Sequence, residues 1–237
     1  TRLLQSGLIK DKDLKRKYEK ELHANEILLL PYYIASVNIE NSFNELFKGG
    51  IFIPFNGICL TDTFQLGETD ESEELFSSIF PQNSERVIAQ KKAPLRIIMG
   101  NPPYSAAAKI ADTNTQNQHY DKLEQRIGLT YGNTKGTNKN KVYDTYIKAF
   151  RWASDRLDPV NGGIIGFVSN GNWLDNNSFD GFRKCLEKEF SSIYVFNLRG
   201  NQRTSGELSR KEGGKIFGSG SRTPISITIL VKNPKAK

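Results

Sequence analysis

The sequence predicts an α/β fold, and three observations predict it. Two apolar runs, Leu95-Arg-Ile-Ile-Met-Gly100 and Ile164-Ile-Gly-Phe-Val-Ser169, show little polar alternation, the habit of strands buried on both faces of a sheet covered by helices. Segments with helical spacing of apolar side chains separate and follow them. Two further strand-like runs, Ile193-Tyr-Val-Phe-Asn-Leu198 and Ile225-Ser-Ile-Thr-Ile-Leu-Val231, are joined through a loop, which fits an antiparallel hairpin at the sheet edge. The expected architecture is a largely parallel sheet with helices on both faces and a C-terminal antiparallel hairpin.

Taken in order, residues 11–23 (DKDLKRKYEKELH) interleave Lys, Arg and Glu and predict a solvated surface helix, with Asp11 or Asp13 as its cap. In the segment LLLPYYIASVNIENSFNELF, apolar residues recur at Leu29, Tyr33, Val37, Phe43 and Phe47. This predicts a helix with Pro31 in its first turn and Gly49-Gly50 at its end. Ile51-Phe-Ile53 and Gly57-Ile-Cys-Leu60 read as strand material that delivers Asp62 to a strand end. Residues 65–86 are acidic and turn-rich, an excursion with one short helix around Glu73 to Ile79. Residues 105–142 form a long polar loop with six basic side chains (Lys109, Lys122, Arg126, Lys135, Lys139, Lys141) against three acids; a loop of that length in a compact domain is functional or disordered. Its run Gly132-Asn-Thr-Lys-Gly136 lacks the GK[ST] ending of a phosphate loop.

Tyr143, Tyr146, Ile147, Phe150, Ala153 and Leu157 fall at helical spacing and predict the clearest helix of the chain. Gly162-Gly163 introduces the 164–169 strand, which ends at Asn170-Gly-Asn-Trp173. Ser178 is the expected cap of a helix running to Phe190, with Phe179, Phe182, Leu186 and Phe190 on its apolar face. Residues 199–224 hold six glycines and six Lys or Arg against two acids, a basic, mobile loop with one isolated aromatic, Phe217.

Composition narrows the function. Apolar residues make up 37% and charged residues 25% of 237, as in soluble globular proteins. The length fits one domain, or at most two. No run is long enough to span a bilayer, and the charged N-terminus is no signal peptide, so a cytoplasmic protein that does not enter membranes is expected. Cys59, Cys185, His23 and His119 lack the spacing of a disulfide framework or a zinc site. A net charge of +7 suits a polyanionic partner such as DNA or RNA.

One stretch spells out a chemistry. The 95–100 strand delivers Asn101, Pro102, Pro103 and Tyr104 just past its carboxyl end, where open α/β sheets bind ligands. Two prolines fix φ and remove two backbone donors, leaving an acceptor-rich clamp beside an aromatic ring.

Asn101-Pro-Pro-Tyr104 after an apolar strand resembles the motif of S-adenosylmethionine-dependent amino-methyltransferases. The surroundings look like the N6-adenine DNA methyltransferase module of type ISP (type I single-polypeptide) restriction-modification enzymes, and the likeness extends over most of the chain. It implies a Rossmann-like class I methyltransferase sheet acting on double-stranded DNA. It also implies that Glu26 binds the cofactor ribose, that Asp62 lies near the cofactor adenine, and that Asn101 serves both cofactor and catalysis. Phe217, in GKIFGSGSRTPISITILV, corresponds to the aromatic against the flipped base, with Tyr104 stacking its other face. In this reading the Asn101 side-chain oxygen and the Pro102 carbonyl each accept an N–H of the adenine amine. That weakens its delocalisation into the ring and turns its lone pair toward the sulfonium methyl, with no metal and no covalent nucleophile. Stacking offsets an unstacking cost of a few kcal/mol.

The resemblance also has a gap. The family's first strand and glycine-rich cofactor motif belong before Glu26, where residues 1–25 contain only Gly7. Helicase, nuclease and target-recognition segments are not evident either. The expectation is a partial catalytic domain, residues 1–237, of a larger polypeptide, with weak or no cofactor binding and no activity by itself. Two alternatives stay open: N-methylation of RNA or of a protein glutamine by the same motif class, and a non-catalytic DNA-binding remnant.

Overall fold

The structure, a computed structural model, describes residues 2–47, 49–68, 80–103, 119–132, 139–203, 205–214, 216–217 and 222–236. The chain divides into two compact units, Thr1–Ala93 and Pro94–Lys237.

In the first unit, α1 (Arg2–Gln5) and α2 (Asp11–Lys20) precede β1 (Ala24–Glu26), α3 (Leu29–Leu46), β2 (Ile58–Leu60) and α4 (Pro81–Lys92). Neither Asp11 nor Asp13 caps α2. Lys10 occupies the cap position without a side-chain bond, and both acids sit in the first turn, where they complement the helix dipole. The helix is solvated except at Tyr18, whose ring stacks on Phe43 at 3.7 Å. Phe43, Tyr18, Phe55 and Ile58 form the core of the unit. Burial and then the Glu40 carboxylate push the Tyr18 hydroxyl up to about 12.

The helix over 29–46 forms as expected with Pro31 in its first turn, and Phe43 and Phe47 of the expected stripe join the core, but its first part does not. Tyr32, Ala35, Ile39 and Phe43 turn inward, whereas Leu29, Tyr33 and Val37 are exposed. Residues 29–35 are apolar all round, so over the first two turns periodicity did not distinguish one stripe from another. Ile51 and Phe52 are exposed and outside any strand. β1 and β2 pair in parallel, Ala24 opposite Ile58 and Glu26 opposite Leu60. The expected helix at Glu73–Ile79 lies outside the described residues, but α4 follows directly, with Pro81 in its first turn, where the missing N–H does no harm. Its buried residues are amides rather than hydrocarbons: Asn83 donates to the Leu60 carbonyl and accepts from the Leu60 N–H, closing the free edge of β2.

The second unit comprises β3 (Ile97–Gly100), α5 (Asp121–Thr130), α6 (Thr145–Arg156), β4 (Gly163–Asn170), α7 (Asp180–Glu189), β5 (Ser192–Arg199), α8 (Gly206–Lys211) and β6 (Ile225–Lys232). Its sheet has the order β3-β4-β6-β5, with β3 and β4 parallel and β6 antiparallel to both β4 and β5. The expected α/β architecture with its C-terminal antiparallel hairpin is therefore present, and helices pack against the strands of both units.

Three local expectations change. Residues 121–130 of the predicted long loop are helical, because Leu123 and Ile127 bury one apolar ridge four residues apart. Residues 206–211 of the second basic loop are likewise helical. Ser178 does not cap α7: the Asn176 side chain accepts from the Ser178 N–H, and a short 3-10 turn precedes the helix. Gly162 and Gly163 are required by contact. Gly162 has φ +67° against the Lys232 carbonyl, and a Cβ on Gly163 would strike the Arg96 carbonyl.

One face of this sheet is closed by helices, with Phe150 of α6 packing its ring on Phe167 of β4 at 5.1 Å. The opposite face corrects the reading of β3 as buried on both sides: Ile97 is 69% and Met99 81% exposed. Register carries this face across the sheet, with Ile97 opposite Ile164, Met99 opposite Gly166, Gly166 opposite Ile229, and Ile229 opposite Tyr194. Tyr194 and Phe196 on β5 are 62% and 65% exposed.

Candidate active site

Each unit places part of the expected site at the carboxyl ends of its strands. In the first unit, Glu26 ends β1 and Asp62 follows β2. Because the strands are parallel and in register, the two carboxylates come to the same end of the pair. Both are oriented by backbone. One oxygen of Glu26 accepts from the N–H groups of Ile27 and Leu28 at 2.9 Å, and one oxygen of Asp62 accepts from the Phe64 N–H at 2.9 Å.

In the second unit, Asn101, Pro102 and Pro103 continue directly from β3, with Asn101 and Pro103 exposed and Pro102 half-buried. Tyr104 lies outside the described residues. Parallel pairing sets the end of β3 beside the end of β4, where Asn170 accepts from the Asn172 N–H and starts a 3-10 turn through Trp173. Phe217 is 41% exposed in the segment between β5 and β6. Its neighbour Ile216 lies against Gly200, whose φ of +88° leaves no room for a side chain. Among the described residues, no group of three or more His, Cys, Asp or Glu is placed to hold a metal ion.

Sequence reasoning missed a cavity of about 240 Å³ at this end of the sheet, lined by Asn172, Asp175, Asn176, Asn197, Asn201 and Glu212 among others. It opens where β4 and β5 end and β6 begins. Beside it, β5 breaks register between Asn197 and Arg199, and Arg199 adopts φ +63°, uncommon for a residue with a Cβ. The available signal was the asparagine-rich run Asn170-Gly-Asn-Trp-Leu-Asp-Asn-Asn177, which reads as an ordinary turn.

Behind the sheet a buried guanidinium, also missed, ties the helices together. Arg151 of α6 bonds Asp155 at 2.7 and 3.0 Å and Glu189 of α7 at 2.9 and 3.0 Å, over the ring of Tyr131. Burial by itself disfavours its charge, but Tyr131, Glu189 and Asp155 more than offset that and hold its pKa above the ordinary value. Part of the basic character expected of residues 105–142 is neutralised in the same region, since Arg126 pairs with Asp155 at 3.3 Å. Cys59 and Cys185 are free thiols, pushed up to about 11 chiefly by burial.

No curated protein sequence matches the chain. Solved structures are similar, among them three that contain DNA or a DNA mimic. A nuclease-deletion mutant of the type ISP restriction-modification enzyme LlaGI, in complex with a DNA substrate mimic, is 50% identical with a TM-score of 0.89, covering 100% of this chain and 19% of that one. The ATP-dependent type ISP enzyme LlaBIII bound to DNA is 44% identical with a TM-score of 0.87, covering 98% and 15%. A DrdV–DNA complex is 39% identical with a TM-score of 0.83, covering 97% and 22%. The chain thus spans about a fifth of the length of these relatives. Residues 30–202 match the Eco57I restriction-modification methylase model. With the Asn-Pro-Pro segment at the strand end and the sheet order already described, this settles the family: the chain belongs to the Eco57I-type restriction-modification methylases and is similar to the methyltransferase region of type ISP enzymes.

Proposed function

We propose that the chain transfers a methyl group from S-adenosylmethionine to the N6 amine of an adenine flipped out of double-stranded DNA, as the catalytic part of a larger cytoplasmic restriction-modification enzyme. The observation that carries this reading is the Asn101-Pro102-Pro103 segment at the carboxyl end of a strand in parallel register with its neighbour. The donor set suits the cofactor. Glu26 and Asp62 present carboxylates, each held by backbone N–H groups, of the kind that bond a ribose diol and an exocyclic adenine amine. S-adenosylmethionine supplies an electrophilic methyl group when bound. The side-chain oxygen of Asn101 and the carbonyl of Pro102 accept the two amine hydrogens, and the resulting polarisation raises the nucleophilicity of the nitrogen. Phe217, partly exposed, and Tyr104 supply aromatic faces for the extruded base. DNA is favoured over RNA or a protein glutamine because LlaGI, LlaBIII and DrdV were each solved with DNA or a DNA mimic.

The test is methylation of plasmid DNA with radiolabelled cofactor by the protein as encoded, followed by identification of the labelled base. Label on adenine N6 that falls by about 10²- to 10³-fold in Asn101→Ala is expected, the usual effect of removing one preorganised polar group. Undiminished label in the variant overturns the role of Asn101. Calorimetry showing no saturable cofactor binding favours a DNA-binding remnant.

A further inference from the structure

The proposed reaction leaves the 240 Å³ cavity unused, although it lies at the same end of the sheet as Asn101. Strand directions establish this. β4 and β5 are each antiparallel to β6, so they run the same way and both end here, while the lining Pro224 directly precedes β6. The walls are preorganised. The side-chain oxygens of Asn176, Asn197 and Asn201 each accept from a backbone N–H two residues on, at 2.9 to 3.0 Å. With its oxygen so engaged, the NH2 group is the end of Asn176 and of Asn197 left to donate. Glu212 accepts from the Asn201 N–H at 3.0 Å and, with Asp175, adds acceptor capacity.

This set of groups selects its ligand class. Two carboxylates with no Lys or Arg among the described lining residues repel a phosphate, although the chain carries a net charge of +7. Amide donors interleaved with carboxylate acceptors match the mixed edge of a neutral heterocycle, as in the side-chain pairings that read bases. The volume falls below the roughly 300–1,000 Å³ typical of drug-sized ligand sites, which fits one heterocycle rather than a nucleotide cofactor. We propose that this cavity receives a second, unstacked nucleobase of the recognition site, distinct from the methylated adenine, and reads it through Asn176, Asn197 and Glu212. The proposal rests on the methyltransferase reading, because extrusion of the adenine is what disrupts the local stack and frees another base.

The experiment uses the protein as encoded. The methylated sequence is first mapped on plasmid DNA, and duplexes are then made with one abasic position at each place in that sequence. Dissociation constants are measured for wild type, Asn176→Ala/Asn197→Ala and Glu212→Gln, the last keeping an acceptor for the Asn201 N–H. Wild type is expected to lose about 10- to 100-fold in affinity at one abasic position other than the methylated adenine. The double alanine variant should show the same loss on intact duplex, no further loss at that position, and an unchanged salt slope, since no phosphate contact is involved. Glu212→Gln should show a smaller loss confined to the same position. Loss spread evenly over all positions, wild-type affinity in both variants, or a salt slope reduced by about one overturns the proposal. If wild type labels adenine yet the scan is flat, the cavity assignment alone fails; if wild type labels no adenine, the methyltransferase reading fails first.

Discussion

Replacing Arg151 with methionine tests how the second unit is held together. The side chain is 1% exposed and makes four N–H contacts of 2.7 to 3.0 Å, so its loss leaves the Glu189 carboxylate without its principal partner. Breaking a buried pair from one side costs about 3–5 kcal/mol. Asp155 retains Arg126, and both carboxylates keep some solvent, so the lower end, about 3 kcal/mol, is expected. For a unit of this size that is a fall of about 6–12 °C in melting temperature. Adding Glu189→Met removes the orphaned charge and should recover the double variant to within about 1 kcal/mol of wild type. The assay is direct, because the chain's two tryptophans, Trp152 and Trp173, both lie in this unit and report its unfolding by fluorescence. A single variant that melts within 2 °C of wild type, on the scale of surface substitutions, refutes the reasoning. So does a double variant no more stable than the single one.

Two further predictions follow from burial and exposure. Asp144, at the cap position of α6, is pushed up to about 6 chiefly by burial, against the pull of Lys141. The native state therefore binds a proton more readily than the unfolded chain, and stability falls as pH rises from about 4 to 6. Asp144→Asn should leave stability at pH 4 unchanged and raise it by about 1 kcal/mol at pH 7, after allowance for the partial exposure of the carboxyl; a gain equal at both pH values sinks this account. Tyr194→Lys/Phe196→Lys, on the exposed sheet face, should suppress light scattering by chain 1–237 and leave melting within about 0.5 kcal/mol of wild type. Scattering unchanged by the two charges contradicts a role for that face in association.

The fold was legible wherever one physical signal dominated a segment. In α6, Tyr146, Ile147, Phe150 and Ala153 supply a single apolar stripe and all are fully buried. α3 forms where expected, but over residues 29–35 apolar side chains surround its axis, so periodicity could not decide between Tyr32 and Tyr33 as the inward residue. α4 was invisible for the opposite reason. It docks through Asn83 and Gln90, whose amides bond the Leu60 backbone and the Ala24 carbonyl, and no apolar template detects a helix held by side-chain amides. In α5 two apolar positions, Leu123 and Ile127, do the packing, and the polar residues between them, with Gly128 after them, disguised them as loop. β3 is apolar on both sides, as a covered strand would be, yet Ile97 and Met99 are exposed. Apolar content records what a face is suited to contact, while exposure depends on the neighbouring segments.

The site was legible only in part, because its residue types have more than one use. Asn-Pro-Pro stands out, since two prolines after an apolar strand are rare and leave few conformations. Glu26 and Asp62 have no such local mark; what singles them out physically is parallel register, which brings the ends of two strands far apart in sequence to the same place. The cavity asparagines were hidden by their own mode of support. Asn176, Asn197 and Asn201 each close a turn with the side-chain oxygen, which is the commonest reason for asparagine in a loop. The same bond fixes the amide so that its NH2 end faces elsewhere. A turn-forming asparagine and a preorganised donor are therefore the same object, and only the convergence of three such turns on one cavity separates them.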